Sequence, residues 1–385
     1  MNPPNSCPDN SRAHPRNPGR TLGRRSLARH SALPVLMLLS ATAPNGLAQG
    51  CIGLRSTACG SPMMGGADPS LSVGAQEWTA SVGFRWFDSK RDFVGDREMP
   101  QRHGMMHNEV YAFDLLASYG ITSRCSVTLD VPSSYGRRSA AYEHDGVNAR
   151  TMSATGVGDI RLTTDYWLFD PHAHMDGNIS VGVGISTPTG DDRATDTAYR
   201  SAGPVTRPVD VSIQPGSGGW GAILQMQAYQ KIRGNLYGYV NGFYTITPQE
   251  QNGTEYPLAD RPFTASFLTY RQTHNSIADQ YMARGGLTFV ALPQHGLALT
   301  LGGRWEGIPA EDAVGGSLGF RRPGYSVSIE PGLSWNRPNY SFTLTVPVAL
   351  YRNRIQSVPE AELGRAPGDA AFADFSIIAG FNFRF

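Results

Sequence analysis

Residues Ala373 to Phe385 read ADFSIIAGFNFRF. Phe375, Ile377, Ala379, Phe381, Phe383 and Phe385 occupy odd positions, and Asp374, Ser376, Gly380, Asn382 and Arg384 occupy even ones. A strand repeats every two residues, so this stretch has one apolar and one polar face. Ile378 is the one apolar residue on the polar side. A soluble sheet would bury the apolar face and usually run on into a loop. Here the chain stops on an aromatic residue, the pattern of the closing strand of a bacterial outer-membrane β-barrel. Such barrels turn the apolar face to lipid and the polar face to the lumen. Phe381, Phe383 and Phe385 are then the expected membrane-insertion terminus. The competing reading is the last strand of a soluble β-sandwich.

Working outward from this stretch, the same alternation recurs. Trp78, Ala80, Val82, Phe84 and Trp86 share one face, as do Tyr111, Phe113, Leu115, Ala117 and Tyr119. Segments around 125–131, 160–168, 179–185, 281–291, 297–305, 325–335 and 342–350 follow the pattern, while 222–231 and 236–246 have ambiguous facing. With the terminal stretch this makes about twelve strands, an even number as single-chain barrels require. The links between them alternate strictly. Gly120–Arg124, Ile232–Asn235, Leu292–Gly296 and Asn336–Asn339 are short, with Phe169–Asn178 the longest of that set. Asp88–Asn108, Ser134–Gly156, Pro188–Gly219, Pro248–Asp279, Pro309–Pro323 and Arg354–Ala371 are long. Short periplasmic turns and long extracellular loops produce that asymmetry in a barrel, and a sandwich has no reason for it. Aromatic residues fall at both strand ends, where rings with a polar tip settle at headgroup depth. The expected fold is an all-β, transmembrane, antiparallel up-and-down barrel in the bacterial outer membrane.

Composition agrees. Hydrophobic residues are 40% of the 385 and mean hydropathy is −0.30, so no run approaches the roughly 20 apolar residues of a spanning helix. The 44 Gly suit tight turns between strands. Residues 1–48 carry a basic front with six Arg, a short apolar run ALPVLMLLSATA over Ala32–Ala43, and a small-x-small site at Gly46-Leu47-Ala48. They read as a signal peptide. Arg24-Arg25 also resembles a twin-arginine signal, but that route carries folded cargo, and a barrel precursor crosses unfolded. Removing this leader takes the formal charge from +1 to about −4, which leaves no electrostatic footprint for nucleic acid. Residues 49–75 read as a flexible N-terminal segment, and 76–385 as the barrel. Cys51 and Cys59 are close enough in sequence for a disulfide in an oxidising compartment. The alternative is acylation of Cys51 after Leu47-Ala48-Gln49-Gly50.

Several stretches resemble one bacterial family. Tyr119-Gly120-Ile121-Thr122-Ser123-Arg124 followed by Val131-Pro132, Gly156-Val157-Gly158-Asp159 and Thr187-Pro188-Thr189-Gly190-Asp191 carry the likeness. So do Gln214-Pro215-Gly216-Ser217-Gly218 and the run from Gly303-Arg304-Trp305-Glu306-Gly307-Ile308-Pro309 to Gly319-Phe320-Arg321-Arg322-Pro323-Gly324. They are similar to the outer-membrane transporter family named for the meta-pathway of phenol degradation. The resemblance implies uptake of aromatic compounds, an association rather than chemistry read from side chains.

Projecting the polar faces inward gives Arg85, Asp114, Asp130, Arg161, Asp165, Arg284, Arg304, Glu306 and Glu330 as expected pore-lining residues. Both signs are present, so no simple ion filter is expected. They could set a field across a narrow pore or pair across a filled lumen. His274 with Ser276, and His103 or His107, are the only nucleophile–base candidates, and none has an inward carboxylate at suitable spacing. Asp191, Asp192 and Asp196 could gather calcium or simply face solvent. The expected function is a monomeric channel for passive uptake of small solutes, aromatic or hydrophobic ones among them. The alternatives are a non-conducting structural barrel and an outer-membrane hydrolase. No cofactor or metal is expected. The expected partners are outer-membrane lipid, the barrel-assembly machinery and the solute.

Overall fold

The computed structural model describes residues 73–102, 106–256 and 272–385. The expected signal peptide, Cys51 and Cys59 lie outside these residues. Twelve antiparallel strands form the wall. They are β1 (Trp78–Val94), β2 (Met106–Gly120), β3 (Cys125–Ala140), β4 (Arg161–Trp167), β5 (Gly177–Ser186) and β6 (Gly221–Arg233). The second half is β7 (Leu236–Ile246), β8 (Gln280–Leu292), β9 (Leu297–Ile308), β10 (Gly324–Asn336), β11 (Tyr340–Thr345 and Val348–Arg354) and β12 (Asp369–Arg384). Each pairs with its sequence neighbours, and β12 returns to β1 in a ladder from Thr79↔Arg384 to Val94↔Asp369. Closure leaves no unpaired edge, which hydrocarbon would not tolerate.

The alternation in sequence becomes the two sides of this wall. Phe375, Phe381, Phe383 and Phe385 face out, while Ser376, Ile378 and Asn382 are buried inside. Ile378, the exception to the pattern, is an inward apolar residue opposite Arg85. The ambiguous pair is resolved by its neighbours: Leu224, Met226 and Val240 face out, and Ile223, Gln227 and Tyr229 face in. Val183 is 61% exposed and Leu350 68%, an outward apolar band that only a lipid surround makes favourable. Rings rim the band at both ends. Tyr244, Tyr281, Trp305, Tyr325 and Tyr351 follow one another around the outer end at centroid spacings of 4.9–6.2 Å. Trp78–Tyr119, Trp335–Tyr340 and Tyr340–Phe381 do so at the inner end. The protein is an integral outer-membrane barrel.

Two features differ from the sequence reading. The loops expected from Asp88 and Ser134 begin as strand: β1 continues to Val94 through bulges near Phe87–Arg91, and β3 continues to Ala140. In β1 the bulge inserts an unpaired residue and shifts the period, which hides that extension from an alternation count. The strand expected over 342–350 is broken at Val346-Pro347, because Pro347 has no N–H to give the ladder. The outer connections also carry two hairpins, Thr195–Arg200 with Gly203–Pro208 and Gln251–Glu255 with His274–Ser276.

Candidate functional site

Eight of the nine expected lumen charges sit between five and nine residues from the inner ends of their strands, so they form a band at mid-height. Asp165 is the exception, two residues from the inner end of β4. Five of the eight join in one chain. Arg85 on β1 donates to both carboxylate oxygens of Glu306 on β9, at 3.2 and 2.7 Å. Glu306 also accepts from Arg304 Nε at 2.9 Å. Arg304 Nη1 donates to Glu330 Oε2 at 3.3 Å, and Arg284 Nη1 to Glu330 Oε1 at 2.9 Å. Arg284 Nε ends the chain on Asn241 Oδ1 of β7 at 2.7 Å. β1 and β9 are separated by β10, β11 and β12 on the short way round. The ionic chain therefore spans the lumen rather than decorating one wall.

Its order follows from the ladder. Arg284 and Arg304 are direct cross-strand partners, and like charges directly opposite repel. Glu330 on the next strand inserts one oxygen toward each. Arg304 and Glu330 are each 1% exposed, so the pairing is nearly dry. Tyr239 supplies a ring 6.0 Å from the Arg284 guanidinium carbon. Gly302 makes room for that ring: a Cβ there would lie 2.5 Å from the Tyr239 hydroxyl.

The remaining charges group differently. Arg161 and Asp130 are cross-strand partners paired at 3.4 Å, and Asp114 is buried on β2. Asp165 accepts from Gln225 Nε2 at 2.8 and 2.9 Å. Gly182 stands between those two in the ladder, and a Cβ there would lie 2.4 Å from the carboxylate. The glycine is what lets β4 and β6 touch across β5.

Above the band, the link between β5 and β6 folds into the barrel. Val209 to Gln214 are all buried, which a surface connection would not be. Val209 and Ile213 pack on Phe87, Val110, Met152 and Ala154. Asp159 ties the stem of this plug: it accepts from the Gly190 and Ser217 amides at 3.1 and 2.8 Å and from the Ser217 hydroxyl at 2.6 Å. The plug's own charge, Asp210, is gripped by Arg322 at 2.8 and 2.7 Å, with Arg138 at 3.7 Å. Burial opposes the charge, yet Arg138 and Arg322 outweigh it and hold Asp210 well below the usual carboxylate range. Arg138 is itself fixed by Glu143 at 2.5 Å and by Asn108 at 2.7 Å.

Sequence reasoning missed this outer cluster. Arg138 was within reach, because it continues the even, inward phase of β3 through Ser126, Thr128 and Asp130. Asp210 carried no signal, since nothing periodic marks an inward loop. The other candidates disperse. Ser276 Oγ accepts from Arg321 at 2.9 Å, while His274 Nδ1 lies 3.1 Å from Thr273. His107 pairs with Asp88 at 2.7 Å, and His103 lies outside the described residues. Asp196 accepts from the Ser153 amide at 2.7 Å and Asp191 from the Arg193 amide at 2.9 Å. Among the described residues no group of three or more His, Cys, Asp or Glu is placed to hold a metal.

No family model and no curated protein matches the sequence. Solved structures do. An outer-membrane channel from Pseudomonas putida F1 superposes with a TM-score of 0.51 at 13% identity, over 81% of this chain and 97% of that one. The toluene transporter TodX of P. putida gives 0.39 at 9% identity over 83% and 93%. The translocator domain of the autotransporter NalP from Neisseria meningitidis gives 0.40 at 11% over 81% and 90%. Only the first likeness carries weight, and at that identity it bears on the fold. It agrees with the closed barrel built strand by strand above.

Proposed function

We propose that this barrel is a monomeric channel for passive uptake of small solutes, aromatic and hydrophobic ones among them. The observation that carries the reading is a lumen crossed at mid-height by a charged constriction and covered on the outer side by an inward-folded loop. A barrel needs only to exclude lipid and offer a polar path to act as a channel, and its constriction then sets what passes. Arg85, Asp114, Asp130, Arg161, Arg284, Arg304, Glu306 and Glu330 would be the constriction and Asp165 the inner lining. The resemblance to the phenol meta-pathway family supports aromatic solutes. Residues 1–48 would direct export, residues 49–75 would follow as a flexible segment with Cys51 joined to Cys59, and the barrel-assembly machinery would insert the chain. Catalysis has no part in this reading. The rival is a non-conducting barrel, favoured by the dryness of the Arg304–Glu330 pairing. Purified protein in planar bilayers should conduct, and proteoliposomes should swell in phenol-like solutes. Absence of both would establish the rival.

A further inference from the structure

The plug is held by a carboxylate in an arginine site, and that site has donors to spare. Asp210 occupies both nitrogens of the Arg322 fork with Arg138 behind it. Arg354 ends β11 opposite Gly324, two residues beyond Arg322, and Arg322 is near enough to bear on it electrostatically. Arg354 is 2% exposed. Its Nη2 donates to Glu360 at 2.7 Å, but Nε and Nη1 are buried and make no hydrogen bond. A buried guanidinium with two idle donors costs stability unless an acceptor is brought to it. Arginine is also the side chain best shaped to take a carboxylate on two donors at once.

We infer that the Arg138–Arg322–Arg354 cluster is a binding site for carboxylate-bearing solutes, and that Asp210 is an internal stand-in for the solute's carboxylate. A solute carboxylate that enters the cluster pairs with the idle donors of Arg354. It then competes with Asp210 for Arg322, which leaves the plug residues Val209–Gln214 with the longer 3.7 Å contact of Asp210 to Arg138. Deeper in the lumen lies the mid-height band, where Arg284 and Arg304 are already paired with Glu330 and Glu306. No bond is made or broken; one buried carboxylate replaces another. This rests on the channel reading and narrows it to solutes that carry the group Asp210 imitates.

The test uses purified full-length protein in planar bilayers, with sodium benzoate as probe and benzamide as its uncharged counterpart. Benzoate should raise potassium chloride conductance severalfold in the wild type, and benzamide should not. Asp210→Asn should conduct at the raised level without benzoate and gain nothing when it is added. Arg354→Gln leaves the Asp210–Arg322 contact in place; it should need about tenfold more benzoate for half its effect. Heat-modifiable mobility in gels reports folding, and if Asp210→Asn fails it, the wild type and Arg354→Gln decide alone. Equal effects of benzoate and benzamide, or an unchanged benzoate response in Arg354→Gln, overturn the inference while leaving a channel. No current from any of the three proteins overturns the channel reading and this inference with it.

Discussion

Replacing Glu330 by Gln tests whether the mid-height chain is dry. The substitution keeps the shape and one acceptor but removes the charge shared by Arg284 at 2.9 Å and Arg304 at 3.3 Å. Those two guanidiniums face each other directly on β8 and β9, so the variant leaves like charges opposed across one ladder rung. Their side chains are 3% and 0% exposed, so water does not screen them. Removing one partner of a buried ionic pair typically costs about 3–5 kcal/mol. Here the amide oxygen keeps one bond and Glu306 still serves Arg304, so the lower end, about 3 kcal/mol, is expected. Urea unfolding in lipid vesicles measures it, with Arg284→Gln alone and combined completing a double-mutant cycle. The second substitution removes the repulsion, so the double variant should recover about 1–2 kcal/mol relative to the sum of the singles. If the single costs under about 1 kcal/mol and the cycle shows no coupling, the chain behaves as a solvated surface pair. The lumen is then wet at its waist, and the bridge of Arg284, Glu330 and Arg304 does not seal it.

Other consequences can be checked more directly. Arg304→Glu changes the constriction by two charges and should move the reversal potential in a salt gradient toward cation preference; an unchanged permeability ratio would show that this residue does not line the path. Deleting Phe385 removes its ring contact with Phe383 at 4.9 Å and its amide bond to the Trp78 carbonyl at 2.9 Å, so the fraction assembled in the outer membrane should fall. Protease added to intact cells should cut the tip near Val147, which is 83% exposed, and spare the turn at 337–339; the opposite pattern would mean the barrel is inverted.

What the sequence yielded, and what it withheld, divides along the range of the interaction. Facing is a local property, so odd and even positions in 373–385 or 78–86 declared which residues meet lipid, and the structure places Phe381 and Ser376 accordingly. Where the facing was doubtful, in 222–246, the reason was composition: Gln, Gly and Tyr populate both phases of β6 and β7. Their neighbours Val183 and Leu287 had to supply the answer. Inward charges were therefore found one by one, but their partners were not. Arg85 could be placed inside from Phe84 and Trp86 alone; that it reaches Glu306 depends on the stagger of all the strands between, which no single segment encodes.

The outer cluster was invisible for the same reason, and its parts depend on one another. Asp210 lies in a connection whose residues follow no period, so its burial is decided by what receives it. The receiving groups come from three distant places: Arg138 on the extended end of β3, Arg322 in the link before β10, and the apolar floor of Phe87, Val110 and Met152. Each would be unfavourable by itself, a buried cation or an exposed apolar patch at a barrel mouth. Together they make a seat of two cations over an apolar floor, and a loop carrying one acid between Val209 and Ile213 matches it. A loop that merely drifted inward would not need the acid. The position of Asp210, between two residues that pack on the wall, argues that the plug is seated by design of the sequence and released by whatever outcompetes one carboxylate.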